Sequence, residues 1–187
     1  MTTADREPQA TQDADQEEEL IRRVVDAANA RDLEPVGPGT IVVGDDGSGD
    51  GGRSLKTALE MAERLGAPVV VVQTWTIESS LGELSDHHGY MRSFGEVTQA
   101  LRARLEERRR GTTEAHPGVP VEFRVVLAQP AEALVELSRD ALMLVLGSRG
   151  LGSIGSMVLG SVGMKVLHHA HCPVLVVPHA RPASVAL

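Results

Sequence analysis

Residues Ala67 to Val72 run Ala-Pro-Val-Val-Val-Val, with no polar side chain for either face of the strand they would form. A strand open to water on one side alternates apolar with polar residues, whereas one buried on both sides reads as a continuous aliphatic run. This segment therefore demands a sheet covered by other layers above and below. Four further short segments complete such a sheet: Ile41 to Val43, Val121 to Leu127, Leu142 to Leu146 and Val174 to Val177. Between them, apolar residues recur at helical spacing. They do so in Leu55, Ala58, Leu59, Ala62 and Leu65 before Gly66, in Phe94, Val97, Leu101 and Leu105, in Leu134 and Leu137 after Pro130, and in Val162, Val166 and Leu167. Strands separated by helices predict right-handed crossovers in a parallel sheet, an α/β fold. With 42% apolar residues but only 2% aromatic ones, the core has to be built from Val, Leu, Ala, Met and Ile, which suits helices packed on an aliphatic sheet.

A length of 187 residues suits one domain with a two-faced core. The predicted domain occupies residues 40–180, preceded by an acidic extension over residues 1–39 and followed by a tail over residues 181–187. Within the extension, residues 1–16 offer no apolar periodicity and are expected to be disordered. Leu20, Ile21, Val24, Val25 and Ala28 form a one-sided helical pattern, and Glu34 to Gly39, with two prolines and two glycines, reads as a linker. The extension holds ten acids against four bases, so it carries six of the eight net negative charges and leaves the domain nearly neutral. No basic stripe long enough to track a nucleic-acid backbone is present, and the run Arg108-Arg109-Arg110 reads as a solvated helix end. No apolar run approaches the roughly 18 residues of a membrane span. The acidic N-terminus and the single cysteine, Cys172, fit a soluble, cytoplasmic protein without disulfides.

The stretch from Gly147 to Ser161 follows a buried strand and precedes a helix, and glycines stand at 147, 150, 152, 155 and 160. Glycines let the backbone approach a ligand without an intervening Cβ, and a helix N-terminus offers unpaired N–H groups at the positive end of a dipole. Phosphate oxygens suit such a loop. Gly150-Leu-Gly152-Ser-Ile-Gly155 has the spacing of a dinucleotide fingerprint, but it lies near the end of the chain without the acid expected about 20 residues on. Gly155 to Gly160 has the frame of a Walker A loop, yet Ser161-Val162 replaces the required Lys-Ser/Thr.

The remaining pattern is Gly147, Gly150, Gly160 and Ser161: two residues separate the first pair of glycines, and nine separate the second pair. In this the chain resembles the ATP-binding branch of the universal stress protein family. Val43-Gly-Asp-Asp46-Gly-Ser48 looks like the family's first strand ending, and Cys172-Pro-Val-Leu-Val-Val-Pro178 like its last strand. The resemblance implies a Rossmann-like, doubly wound sheet of five parallel strands in the order 3-2-1-4-5, of the adenine-nucleotide α-hydrolase-like kind. It also implies ATP with Mg2+ on its phosphates. Gly147, Arg149 and Gly150 would then lie along the ribose and phosphates, with Gly160, Ser161 and Val162 holding the phosphates from the helix start. Asp46 would lie beside the adenosine half and Thr74 near the adenine, and Gly44 and Leu146 complete the implied set. A homodimer through Val174 to Val177 is implied as well. Three departures from the pattern are the glycine-rich run Gly49 to Arg53, read as a longer loop, Gly163, where many relatives carry a hydroxyl, and Ala128, in place of a common turn glycine.

His168, His169, His171 and Cys172 are metal-ligand types at poor spacing, and the reading preferred for them is structural. His87 and His88 fall in a variable connection. No nucleophile–base–acid arrangement emerges and no GxSxG elbow is present, so no residue is assigned to catalysis. The expected role is regulatory nucleotide sensing with at most slow ATP hydrolysis, together with an unidentified protein partner. A nucleotide-free dimeric scaffold of the same fold is the alternative. An adenylating enzyme ranks last, because Gly47-Ser48-Gly49-Asp50 matches the Ser-Gly-Gly-x-Asp-Ser loop of such enzymes only loosely.

Overall fold

A computed structural model describes residues 33–80, 93–148 and 159–179. The N-terminal helical pattern, His87 and His88, Arg149, Gly150, Gly152 and Gly155 lie outside these residues. The element order is β1 (Ile41–Gly44), α1 (Gly49–Leu65), β2 (Val69–Trp75), a single 3-10 turn (Glu78–Ser80), α2 (Phe94–Glu114), β3 (Val121–Leu127), α3 (Pro130–Leu137), β4 (Met143–Gly147), α4 (Ser161–His169) and β5 (Val174–Val177). All strand pairings are parallel and the sheet order is β3-β2-β1-β4-β5, as expected.

The two-fold alternation of strand side chains divides the core into two halves. Ile41, Val43, Val69, Val71, Val125 and Val145 pack with Leu55, Leu59 and Leu105 of α1 and α2. Val42, Val70, Val72, Val126, Leu144 and Leu146 pack with Leu134, Leu137 and Val166 of α3 and α4. In-register partners keep the halves separate: Val42 stands beside Val70 and Leu144, and Val43 beside Val71 and Val145. β2 starts after Pro68, two residues later than the apolar run suggests, and continues to Trp75 because β3 pairs with it as far as Leu127. The Glu34 to Gly39 segment is anchored: Val36 is buried in the second half of the core, and Arg124 Nη1 donates to the Glu34 carbonyl at 2.6 Å.

Two local expectations are corrected. Gly49 to Arg53 is no extended loop but the opening of α1, capped by Ser48, whose Oγ accepts from Gly51 N at 3.2 Å. Glycine in a helix interior costs up to about 1 kcal/mol relative to alanine. Here the absence of side chains has a use, because a Cβ at Gly51 would lie 2.3 Å from Asp45 Oδ1 and one at Gly52 would lie 2.7 Å from Arg109 Nη1. The arginine run is not uniformly solvated either. Arg109 is buried and forms an ion pair with Asp45, while Arg108 and Arg110 remain exposed. Successive helical residues point about 100° apart. Arg109 continues the stripe of Val97, Leu101 and Leu105, each four residues from the next, so it turns inward with them.

Leu59 is wholly buried between α1 and the sheet. Leu59→Ala is expected to lower the unfolding free energy by about 2–5 kcal/mol, because the site cannot fully collapse onto the lost volume. Urea unfolding should show a lower midpoint with little change in slope.

Candidate functional site

The order β2-β1-β4 makes the chain leave β1 and β4 on opposite sides of the sheet, so a crevice opens at their carboxyl ends. The β1–α1 loop, Asp45 to Ser48, borders it on one side. Asp46 is half-buried there and its Oδ1 accepts from Ser48 N at 3.0 Å, the geometry of an Asx turn. Gly47, at φ +81°, completes the reversal. Thr74 is half-buried in β2, two positions past Val72, the partner of Gly44 and the last β2 residue that pairs with β1. It therefore stands on the overhang of β2 beyond the end of β1.

The other border is the β4–α4 connection. Gly147 pairs with Val177, and Ser148 N donates to the Val177 carbonyl at 2.8 Å. Gly160 N donates back to the Ser148 carbonyl at 3.1 Å, so the two ends of the connection are tied together. α4 then begins with Gly160 as N-cap, without a side-chain cap and without an acid in its first turn. The contrast with the other described helices is chemical. Ser48 caps α1, Ser93 and Glu96 form a full capping box on α2, and α3 opens on Pro130 with Glu132 in its first turn. The amide groups of Ser161 and Val162 thus open a helix whose positive end meets no protein carboxylate of its own first turn, an arrangement that suits an anion.

Gly44 and Leu146 have packing roles. A Cβ at Gly44 would lie 2.7 Å from Leu146 Cδ2 and 3.2 Å from Leu134 Cδ1, and Leu146 belongs to the core beneath α3. Gly163 has a local role as well, since its Cβ would meet Leu159 Cδ1 at 2.7 Å. The structure thus brings Asp46, Thr74, Gly147, Gly160, Ser161 and Val162 to one end of the sheet. Cys172 packs on the second half of the core, and burial pushes its thiol pKa up. Among the described residues no group of three or more His, Cys, Asp and Glu side chains is arranged to hold a metal.

A cluster not foreseen from sequence lies at the same end. His179, just past β5, donates its backbone N–H to Ser148 Oγ at 2.9 Å and sets Nδ1 2.8 Å from Asp50 Oδ2. Arg53 Nη2 also contacts the Asp50 carboxylate and lies 3.3 Å from His179 Nδ1. Burial works to raise the Asp50 pKa, but the His179 hydrogen bond and the Arg53 charge outweigh it and hold the carboxyl below its usual range. A depressed carboxyl pKa contributes stability above the unfolded value, about 3.9, that is lost as the pH falls through the folded value. Asp50→Asn is therefore expected to lower the thermal midpoint at neutral pH, with the gap to the parent narrowing as the pH drops below about 3.9. Thermal melts of both proteins across pH check this.

Residues 38–178 match the profile of the universal stress protein family. A universal stress protein of Mycobacterium tuberculosis is 37% identical over 136 residues, which are 73% of this chain and 44% of the relative. One from Thermus aquaticus is 38% identical over 144 residues, covering 74% of this chain and 97% of the relative. This chain thus spans less than half the length of the mycobacterial protein and nearly all of the Thermus one. Among solved structures, a universal stress protein in complex with cAMP superposes with a TM-score of 0.53 at 25% identity, covering 78% of this chain and 100% of that one. The fold, the loop that returns into an uncapped helix and the match across residues 38–178 agree: this chain belongs to the universal stress protein family.

Proposed function

We propose that residues 40–180 form an adenine-nucleotide-binding regulatory domain that holds ATP, with Mg2+ carried on the phosphates. The observation that carries this reading is the uncapped start of α4, set beside the end of β4 at the reversal of strand order. Gly160, Ser161 and Val162 would hold the phosphates through backbone N–H groups and the Ser161 hydroxyl. Gly147, Arg149 and Gly150 would follow the ribose and phosphates, and Asp46 and Thr74 would border the adenosine half. The contacts of Gly44 and Leu146 would be limited to backbone, since the Leu146 side chain is in the core. The similarity to a protein bound to cAMP supports an adenine-containing ligand. The role is sensing in the cytoplasm with at most slow hydrolysis, no side chain being assigned as a catalyst.

A homodimer through β5 is part of the same reading. β5 is the last strand of the sheet, and Val174, Leu175, Val176 and Val177 are each half-buried. Pairing would cover an edge that otherwise invites uncontrolled association.

Gly160→Ala/Ser161→Ala is expected to weaken ATP binding about tenfold to a hundredfold, the scale of one or two lost charge-assisted hydrogen bonds, and to weaken AMP binding less. Calorimetry with ATP, ADP and AMP measures both. Absence of heat with every nucleotide for the parent chain would favour the nucleotide-free scaffold. For the edge, Val176→Lys is expected to shift the mass in light scattering from dimer to monomer, and an unchanged mass would remove β5 from the assembly.

A further inference from the structure

The β1–α1 loop is held by two arginines that reach it from α2, more than 60 residues away in the chain. Arg109 Nε donates to Asp45 Oδ2 at 2.7 Å, and its Nη2 donates to Asp45 Oδ1 at 2.8 Å and to the Ser48 carbonyl at 2.6 Å. Arg108 Nη1 donates to the Gly47 carbonyl at 2.9 Å. Asp45 Oδ1 also accepts from Gly47 N at 2.8 Å. Asp45, Gly47 and Ser48 are thus each tied to α2 or to the Asp45–Arg109 pair, and Asp46 is tied to Ser48.

The pair is dry, with side-chain exposures of 8% for Arg109 and 0% for Asp45. A buried ion pair is often no more stabilising than well-packed apolar residues, because desolvation offsets the attraction. Stability alone therefore gives little reason for this pair and for the two helical glycines that clear space beside it. Geometry gives a better one. A bidentate guanidinium fixes both distance and plane, and its spare donor reaches the one carbonyl that ends the loop.

We propose that Arg108 and Arg109 are positioning residues for nucleotide binding, fixing the Asp45 to Ser48 backbone so that Asp46 is presented to the adenosine half of the ligand. This rests on the nucleotide reading above. The effect belongs to the adenosine half, so it is shared equally by ATP and AMP, whereas damage at Gly160 and Ser161 falls harder on ATP.

Two sets of variants test it by calorimetry with ATP, AMP and inorganic tripolyphosphate. Arg108 is exposed. Arg108→Gln, whose shorter side chain draws its amide donor back from the Gly47 carbonyl, is expected to melt like the parent and to bind ATP and AMP about fivefold more weakly, with Arg108→Lys, long enough to keep a cationic donor in reach, restoring much of the loss. Asp45→Val/Arg109→Met replaces the ion pair by apolar side chains and is expected to weaken ATP and AMP by the same factor, about tenfold or more, leaving tripolyphosphate binding unchanged. Parent-like ATP and AMP affinity in Arg108→Gln overturns the proposal, as does a loss confined to ATP. Should the double variant fail to fold, the Arg108→Gln and Arg108→Lys pair decides alone. A parent chain that binds neither ATP nor AMP removes the nucleotide reading itself, whereas a binding parent with indifferent variants removes only the clamp.

Discussion

Burial of both faces of a five-stranded parallel sheet is the constraint from which the remaining features follow. A strand such as Val69 to Val72 has no polar face to show to water, so helices must cover it on each side. Side-chain alternation then sends Val43, Val71 and Val145 toward α1 and α2, and Val42, Val70 and Leu144 toward α3 and α4. Covering two faces requires the chain to change direction across the sheet once, and it does so between β1 and β4. The crevice at that reversal is where backbone groups are left with nothing from the sheet to bond.

What borders the crevice differs in how fully it is satisfied. The start of α1 is closed by Ser48, and Asp50 in its first turn suits the helix dipole while also meeting His179 and Arg53. The start of α4 has no such closure, although Gly160 N at its N-cap is tied to the Ser148 carbonyl at the end of β4. A helix start that lacks a cap of its own offers N–H groups for which an anion can supply the missing acceptors. The β1–α1 side depends on rigidity of another kind. The Asp45–Arg109 pair fixes the β1–α1 loop from below, and Gly51 and Gly52 accept a helix-propensity penalty so that the pair can fit.

Much of this was legible in the sequence. The bounds of β3 and β5 and the start of α3 at Pro130 coincide with the patterns read from the chain, and Gly66 closes α1 in the left-handed conformation that a C-terminal glycine signals. The helix start at Gly160-Ser161 is implied by the resemblance to the universal stress protein family, and the apolar spacing of Val162, Val166 and Leu167 agrees with it. The misreadings are instructive. Gly49 to Gly52 reads as a loop to any local rule, since glycine disfavours helix and nothing nearby in sequence reveals the ion pair that requires it. Three adjacent arginines look solvated until the middle one is set on the stripe of Leu101 and Leu105, a signal that was present at four-residue spacing and was outweighed by the charge run.

The sequence by itself determined the layers, the order of elements and the position of the glycine loop, because periodicity and turn residues act over a few neighbouring positions and state which side of each element must be dry. Tertiary structure alone decided which polar groups meet across the crevice: Asp45 with Arg109, Gly47 with Arg108, and Asp50 with His179, the last pair 129 residues apart. Such partnerships depend on where elements come to rest in space, and a hydrogen bond tolerates an error of only a few tenths of an ångström. The hydrophobic pattern that assembles the fold is non-directional and carries no record of them.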